Sequence, residues 1–392
     1  MKYLCGKEVM ASSSTSSSLP CPLSWSSSRV LGPAGPSSTA WDKKKFAGPV
    51  VIQQNPLSSD HNTWNMYYYG RGSDMWNMGV PPFNPTLPTG RIGVATSTDG
   101  GFSFVRSEHG AILDPSDDVS AFDCVHIAVG DVVFDQISGK WHLYYFGGSF
   151  DELPLAGLPG VARGVRLQTG LAVSRDGIHF ERASKGPILG VGEKGSWDEN
   201  AVSWPRILMP NPKPKPNTNM SPYDDKWIMS YHARESGGFF STGLATSHDG
   251  MSWVKLGRVL SRGKHGAWDE GGVSVRHIIR YNGQYLMFYE GSSFKFDFAI
   301  GLAKSNDGIV WTRDDQCGPE PGGPILKPRK GEDVWDNYVV GTPYVVVMPD
   351  QSLRMYYLGL SKNEDNVIGD SGIGIAVSNG SDFRTWSRLP LE

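Results

Sequence analysis

Apolar and aromatic residues along this chain fall in short runs, and glycine, proline, asparagine or aspartate separates one run from the next. Aromatic runs recur at MYYYG (66–70), LYYFG (143–147), IMSYHA (228–233), LMFYEG (286–291) and MYYLG (355–359). After each of the first four, two further apolar runs flank an Asp-Gly pair, as in GLAVSRDGIHF at 170–180. Asp-Gly between apolar runs predicts a β-hairpin, because its turn requires positive φ. The pattern therefore predicts many short antiparallel strands.

An aromatic residue followed by aspartate opens each copy of this pattern. The five pairs are Trp41-Asp42, Phe122-Asp123, Trp197-Asp198, Trp268-Asp269 and Trp335-Asp336. Four strand signals follow each pair, and repetition at this period is typical of propeller architectures. We predict an all-β fold, a five-bladed β-propeller with four antiparallel strands per blade, over residues 41–392. Since each blade is contiguous in sequence, we expect the ring to close by packing rather than by strand exchange.

The first 40 residues have a different composition from the rest of the chain. They contain twelve serines and little acid, and they lack the apolar centre of a secretory signal. This composition predicts an organelle transit peptide of the plastid type, which would place the protein in the chloroplast stroma. The alternative is a disordered leader. On either interpretation, residues 1–40 are expected to lie outside the fold.

Composition excludes several classes of partner. The chain has 37 basic and 40 acidic side chains and no basic run longer than Lys43–Lys45, so we expect no nucleic-acid partner. No apolar run approaches the length of a membrane span. The four cysteines follow neither a metal-binding nor a disulfide spacing, which favours a reducing compartment, no structural metal and no cofactor. We expect a carbohydrate or another small molecule as the ligand.

Strand direction predicts which face of the ring holds a site. Successive strands of a blade alternate in direction, so the aromatic-Asp segments and the ends of the second strands share one face, here called the mouth. Two long connections, 71–90 and 148–168, follow second strands on this face. The Asp-Gly turns and the proline-rich insertion at 210–225 are predicted on the opposite face.

Comparison of the blades separates scaffold from candidate chemistry. The five aspartates recur in every blade, so we expect them to accept backbone N–H bonds between blades, with the aromatic residues at the seams. Polar residues found in one or two blades are better candidates for catalysis: Glu199, Glu270, Glu290 and His232. Glycosyl transfer requires two carboxyl groups whose environments separate their pKa values. The residues predicted to bind substrate are Arg71, His126, Asp131, Trp204, Arg234 and Glu235.

The repeat resembles the five-bladed propeller superfamily of glycoside hydrolases, which includes arabinanases, β-xylosidases, invertases and levansucrases. The resemblance covers about residues 41–390 and implies a sugar site where the inner strands begin. In the arabinanase group the first catalytic carboxylate is an aspartate just before a proline. Here Gly48, Trp204 and Thr342 precede Pro49, Pro205 and Pro343, and the other two blades offer Val129 and Val275. The carboxylates of the family therefore cannot be transferred residue by residue.

Three functions remain open at this point. A glycosidase or transglycosidase with displaced carboxylates predicts that Glu199, Glu270 and Glu290 converge within about 5–10 Å. A non-hydrolytic enzyme would use His232 or His126 for acid–base chemistry on a plastid metabolite. A non-catalytic binding or assembly module would pair the glutamates with arginines. A cation in the central channel is a further alternative, with Asp131 and His277 as its ligands.

Overall fold

The structure is a computed structural model. It describes residues 29–34, 40–54, 62–77, 79, 86–154, 160–211, 223–295, 297–314, 322–363, 368–379 and 382–389. The leader before residue 29 and most of the proline-rich insertion, residues 212–222, lie outside this part of the chain. The described residues form strands, turns and bends and no helix, so the predicted all-β class is confirmed. Among them there is accordingly no helix that could cross a membrane.

Each stretch that follows an aromatic-Asp pair forms four antiparallel strands, called a blade below. After β1 (Arg29–Leu31), the first blade contains β2 (Lys45–Gln53), β3 (Trp64–Asn77), β4 (Thr86–Ser97) and β5 (Val105–Leu113). The second contains β6 (His126–Asp135) and β7 (Lys140–Gly148), then the small hairpin of β8 (Leu153–Pro154) and β9 (Val161–Ala162), then β10 (Leu167–Ser174) and β11 (Glu181–Arg182). The third contains β12 (Ala201–Leu208), β13 (Trp227–Arg234), β14 (Phe240–Ser247) and β15 (Val254–Leu260).

The fourth blade contains β16 (Gly272–Tyr281), β17 (Gln284–Ser292), β18 (Phe298–Ser305) and β19 (Thr312–Arg313). The fifth contains β20 (Val339–Val347), β21 (Leu353–Lys362), β22 (Ile368–Asn379) and β23 (Asp382–Arg388). A parallel bridge between Leu167 and Ala201 joins the second and third blades into one sheet. Much of the connection predicted at 71–90 is paired, since β3 and β4 continue as far as Asn77 and Thr86.

The aspartate of each aromatic-Asp pair binds inside its own blade. The carboxylate of Asp42 is fully buried and accepts a hydrogen bond from the Tyr68 hydroxyl at 3.1 Å and one from Arg106 Nε at 2.6 Å. The Trp41 ring stacks on Tyr68 with 5.6 Å between ring centroids. Three blades repeat this arrangement, with Asp123–Tyr145–Arg182, Asp269–Tyr289–Arg313 and Asp336–Tyr357–Arg388; in the third blade Asp198 binds Lys255.

This arrangement corrects the expectation that the aspartates accept backbone N–H bonds between blades. The partners that recur among the blades are side chains of the second and fourth strands of the same blade. Asp198 and Asp336 also bind Ser196 and Arg329, which precede them in the chain. Contacts between blades come from other residues, namely tyrosines whose hydroxyls donate to turn carbonyls of the next blade. These bonds run from Tyr67 to Gly177, from Tyr144 to Gly250 and, across the seam that closes the ring, from Tyr356 to Gly101, at 2.9, 2.8 and 2.8 Å.

The N-terminal strand β1 also lies at the closing seam. It pairs with β22 of the fifth blade, with Arg29 opposite Gly374 and Leu31 opposite Ile373. The Val30 carbonyl accepts a hydrogen bond from Phe104 N of the first blade at 3.0 Å. Val30 and Leu31 are buried. Residues 29–31 are therefore part of the fold, which corrects the boundary at residue 40, and the ring is closed by strand pairing as well as by packing.

Removing β1 should destabilise the ring. A chain that begins at residue 40 loses the burial of Val30 and Leu31, worth roughly 3–6 kcal/mol as an upper bound. We expect its midpoint in thermal and denaturant unfolding to lie clearly below that of a chain that begins at residue 28, which keeps β1. Equal midpoints for the two truncations would show that β1 contributes nothing to closure.

Breaking one aspartate network should be costly, because it leaves a buried carboxylate with one partner fewer. Arg313→Met removes the cation from Asp269, and we expect a loss of about 3–5 kcal/mol in the free energy of unfolding. The matched control is Arg258→Met, since Arg258 is exposed on an outer strand and stacks over Trp197. Chemical denaturation measures both variants. A loss as small for Arg313→Met as for the control would refute the scaffold role of the network.

Candidate functional site

The five inner strands are irregular at the same level, just below the mouth. Each loses its pairing register there: between Ala47 and Val50, Val129 and Asp131, Ser203 and Arg206, Val273 and Arg276, and Gly341 and Tyr344. Gly48, Trp204 and Thr342 have positive φ angles of 68°, 50° and 45°, and each precedes a proline. A bulge of this kind redirects the side chain that it carries. The proline-based alignment thus identified a structurally equivalent position in three blades.

Aromatic and apolar side chains form the floor of the mouth. Tyr69, Phe146 and Leu358 come from three different blades and pack in one cluster with Trp204 against it. The Trp204 ring lies 5.0 Å from the Phe146 ring and 5.8 Å from the Tyr69 ring, centroid to centroid. A Cβ atom at Gly48 would stand 2.8 Å from the Trp204 ring. Glycine at this position therefore gives the indole its space.

Glu290 projects from β17 at this level. Its Oε1 binds the Ser274 hydroxyl at 2.5 Å, and its Oε2 accepts a hydrogen bond from the Thr342 backbone N–H at 2.8 Å. Burial raises the pKa of the Glu290 carboxyl, although both hydrogen bonds and Lys45 act in the opposite direction. A Cβ atom at Gly341 would stand only 2.0 Å from Oε2. Glu290 therefore places a carboxyl beside the proline-preceding position of the next blade.

Glu199 and Glu270 make the same contact in adjacent blades. Each Oε2 accepts a hydrogen bond at 2.7 Å from the backbone N–H four residues earlier, at Gly195 and at Gly266. Glu199 Oε1 also accepts from Ser236 N at 3.0 Å, and His265 Nδ1 lies 3.1 Å from Glu270. The N–H of Gly195 lowers the pKa of Glu199. These two glutamates stabilise loops at the rim.

No hydrogen bond in the described part of the chain joins Glu199, Glu270 and Glu290 to one another. Glu199 also lines a cavity of about 460 Å³ between the second and third blades, beside Arg166 and Lys194. The predicted cluster of three carboxyl groups is therefore divided among three separate networks. Burial raises the pKa of Glu290, whereas the pKa of Glu199 is lowered by its backbone hydrogen bonds.

The two candidate histidines are buried and neutral near pH 7. His126 Nε2 donates to the Gly164 carbonyl at 2.8 Å, and the imidazole stacks on Trp76 at 5.8 Å. Burial and the nearby Arg71 lower the pKa of His126 to about 4. His232 packs against Phe240, and burial lowers its pKa well below 6.5. The Nδ1 atom of each has no hydrogen-bond partner among the described residues.

The residues predicted to bind substrate separate into two groups. Arg71 donates to the Pro88 carbonyl at 2.5 Å, and Arg234 donates to the Val165 carbonyl at 3.3 Å, so both lie among the connections at the rim. Glu235 is half-buried in the turn after β13. With Trp204 and His126, these residues surround the mouth. Asp131, by contrast, lies deeper in the central channel.

Asp131 forms part of a buried polar ring in that channel. Its carboxyl accepts hydrogen bonds from Val132 N at 2.9 Å and Ile207 N at 2.7 Å, and burial raises its pKa to about 6. His277 stacks on Tyr344 at 4.2 Å and accepts a bond from Val345 N at its Nδ1. The described residues contain no group of three or more metal-ligand side chains. Backbone N–H groups therefore occupy both the carboxyl of Asp131 and the Nδ1 atom of His277, the two residues that the sequence offers as cation ligands.

Sequence reasoning missed Ser274 and Arg276, which lie on the irregular part of β16. Ser274 binds Glu290, and Arg276 donates to the carbonyls of Trp204 and Ser230. No sequence signal marks Ser274. Arg276 stands next to His277, which the sequence offers as a ligand in the central channel, and this neighbour is the available clue.

No protein-family model matches the chain, and no curated protein matches its sequence. Its fold is similar to that of a glycoside hydrolase, with a TM-score of 0.60 and 18% identity over 93% of this chain and 94% of the other. It is also similar to a thermostable family-43 glycoside hydrolase, with a TM-score of 0.59 and 16% identity over 88% and 95% of the two chains. A third similar structure is the β-1,2-mannobiose phosphorylase from Listeria innocua, bound to β-1,2-mannobiose, with a TM-score of 0.55 and 16% identity over 90% and 95%. The chain thus has the fold of the β-propeller glycoside hydrolases.

The buried histidines predict how stability depends on pH. The pKa of His126 falls from 6.5 to about 4 on folding, so the unfolded chain binds the proton more tightly. The contribution of this group is present above pH 6.5 and is lost as the pH falls towards 4, on the order of 3 kcal/mol. His232 and His277 act in the same direction.

NMR of the ring resonances should show His126 titrating near pH 4. Denaturation between pH 4 and 7 should show a shallower pH dependence for His126→Gln than for the native chain. His248→Gln is the control, because His248 is exposed. An unchanged slope in His126→Gln would contradict the assignment.

Proposed function

We propose that this protein is a carbohydrate-active enzyme of the glycoside hydrolase type, a glycosidase or transglycosidase, in which Glu290 at the mouth is the proton donor. The observation that carries the proposal is the position of Glu290. Its carboxyl lies beside Thr342, near the start of the inner strand β20, where the family that the repeat resembles places a catalytic carboxylate. The similarity of the fold to glycoside hydrolases supports the same class.

The surroundings of Glu290 suit a general acid. A raised pKa keeps a carboxyl protonated at higher pH, so that it can transfer the proton to the oxygen of a leaving group. The Thr342 N–H fixes one oxygen, which leaves the other for the proton. The Ser274 hydroxyl accepts from the protonated form and donates to the ionised form, so it holds the carboxyl in both states.

The rest of the mouth suits a sugar. The indole of Trp204 and the rings of Tyr69 and Phe146 provide an apolar wall for the C–H face of a pyranose or furanose. Arg71 and Arg234 border this wall and provide charged donors for hydroxyl groups. The substrate class is therefore a carbohydrate or a glycoside.

Glycosyl transfer requires a second catalytic group, a base or nucleophile, beside the acid Glu290. Glu199 and Glu270 are held by loop N–H groups, which favours structural roles for both. Glu235 on the rim and the free Nδ1 of His126 or His232 are the remaining bases. A histidine base paired with Glu290 would also serve a non-hydrolytic acid–base enzyme acting on a plastid metabolite.

A second candidate function is a non-catalytic carbohydrate-binding module. It is favoured by the residues at the proline-preceding positions of the inner strands, where Gly48, Trp204 and Thr342 replace carboxylates. On this interpretation the aromatic wall binds a ligand, and Glu290 serves only to connect the fourth and fifth blades.

We further propose a plastid location, on the composition of the leader. The position of β1 constrains where a transit peptide could be removed. Cleavage after residue 31 would discard the strand that pairs with β22. Processing is therefore expected before Arg29, and N-terminal sequencing of the protein from plastids would identify the site.

The decisive experiment is an assay of the chain from residue 28 on a panel of α- and β-glycosides. Glu290→Gln should lower kcat by about 10²- to 10⁴-fold, the contribution of a positioned general acid. Activity of the native chain should fall as the pH rises through the pKa of Glu290. Glu199→Gln and Glu270→Gln are the matched controls and should retain activity.

The remaining outcomes separate the alternatives. Undiminished turnover by Glu290→Gln would refute its role as the acid. Oligosaccharide binding in calorimetry, without turnover of any glycoside, would establish the binding module instead.

A further inference from the structure

The centre of the channel contains two buried arginines. Arg206 on β12 and Arg276 on β16 are 2% and 0% exposed. The guanidinium of Arg276 is well satisfied, because it donates to the Ser230 hydroxyl and to the carbonyls of Ser230 and Trp204. The guanidinium of Arg206 has fewer hydrogen-bond acceptors.

Arg206 has donors without acceptors. Its Nη2 makes one long bond, of 3.3 Å, to the Pro49 carbonyl. Its Nε and Nη1 are buried and have no hydrogen-bond partner among the described residues. A buried N–H without a partner costs about 1–3 kcal/mol, and more when the group is charged. The arrangement therefore requires an acceptor that the described residues do not provide.

The charge of this region is also unbalanced. Asp131 is the acidic side chain that acts electrostatically on both arginines. Its two oxygens are bound by Val132 N and Ile207 N, and no ion pair of Arg206 occurs in the described part of the chain. One carboxyl thus faces two guanidinium groups. An excess buried positive charge is costly unless an anion neutralises it.

We propose that the channel binds a small monovalent anion, such as chloride, on the Nε–H and Nη1–H groups of Arg206. The site is on the axis of the ring, below the mouth, and it is separate from Glu290. The ligand proposed here is an anion, whereas the sequence offered a cation as an alternative for this channel.

The neighbouring residues agree with an anion of small size. Tyr344 covers one face of the Arg206 guanidinium, 4.9 Å from the ring centroid, and His277 stacks on the same tyrosine. Because Arg206 is 2% exposed and Tyr344 is 8% exposed, a ligand at this guanidinium must be compact enough to be enclosed with them. Burial lowers the pKa values of Arg276 and His277, and the positive charge of Arg206 lowers both further.

A cavity of about 560 Å³ opens between the inner strands at the end of the channel opposite the mouth, and Tyr344 is one of its lining residues. Val51, Val132 and Met209 are among its other lining residues. The cavity thus extends as far as the tyrosine that covers one face of the Arg206 guanidinium.

The test is unfolding of the chain from residue 28 in sodium chloride or sodium gluconate at equal ionic strength, because gluconate is too large for the site. We expect chloride to raise the thermal midpoint by a few degrees in a saturable manner, as specific binding to the folded state requires. Arg206→Met should abolish the difference between the two salts. Arg354→Met is the matched control, since Arg354 is a buried arginine at the closing seam and should leave the chloride effect intact.

A crystallographic measurement keeps the proposal testable if Arg206→Met does not fold. Crystals of the native chain soaked in bromide should show an anomalous peak in contact with Arg206 Nε or Nη1. A water molecule in place of the peak, or an equal response of the midpoint to chloride and gluconate, would overturn the proposal.

Discussion

A buried aspartate, bound by a basic side chain of the fourth strand, is the interaction on which each blade depends. In four of the blades a tyrosine hydroxyl shares the carboxylate, so that the contact joins the residue before the inner strand, the second strand and the fourth strand. The fourth strands need this contact most, because β11 and β19 have only two residues each. Arg182 and Arg313 lie in these two strands and bind Asp123 and Asp269. A side-chain ion pair thus fixes the outer edge where the backbone ladder is too short to do so.

This scaffold explains where variation is tolerated. Aspartates and tyrosines occupy the positions that every blade needs, so chemistry is confined to the irregular level of the inner strands and to the ends of the second strands. Glu290 lies at one of these ends, and its carboxyl accepts a hydrogen bond from the backbone N–H of Thr342 in the next blade. The proposed acid is therefore held by two blades, and its geometry depends on how they are docked. The channel below it carries the arginine pair, so the ring has an apolar floor above a polar axis.

Recurrence in the sequence predicted most of the fold, because five copies of the same strand pattern report on one packing solution. A second recurrence in the sequence corresponds to the aspartate networks. A basic residue recurs in the fourth strands, at Arg106, Arg182, Lys255, Arg313 and Arg388. Glu199 and Glu270 stand at the same position of two blades, and both accept a hydrogen bond from a loop N–H group four residues earlier. The bond between Glu290 and Thr342 could not be predicted, because it depends on docking between blades. The strand β1 is three residues long and has no pattern that sequence alone could identify.

The pairing of β1 with β22 has a consequence for the order of events during folding. Arg29 and Asp370, which form an ion pair, are 341 residues apart in the chain. The ring can therefore be sealed only when nearly the whole polypeptide is available to fold. Until then the first and fifth blades each expose an unprotected edge, which is the condition that favours aggregation and exchange between chains. The chain is thus most prone to aggregation just before the ring closes. The closing step also forms the longest loop in the fold.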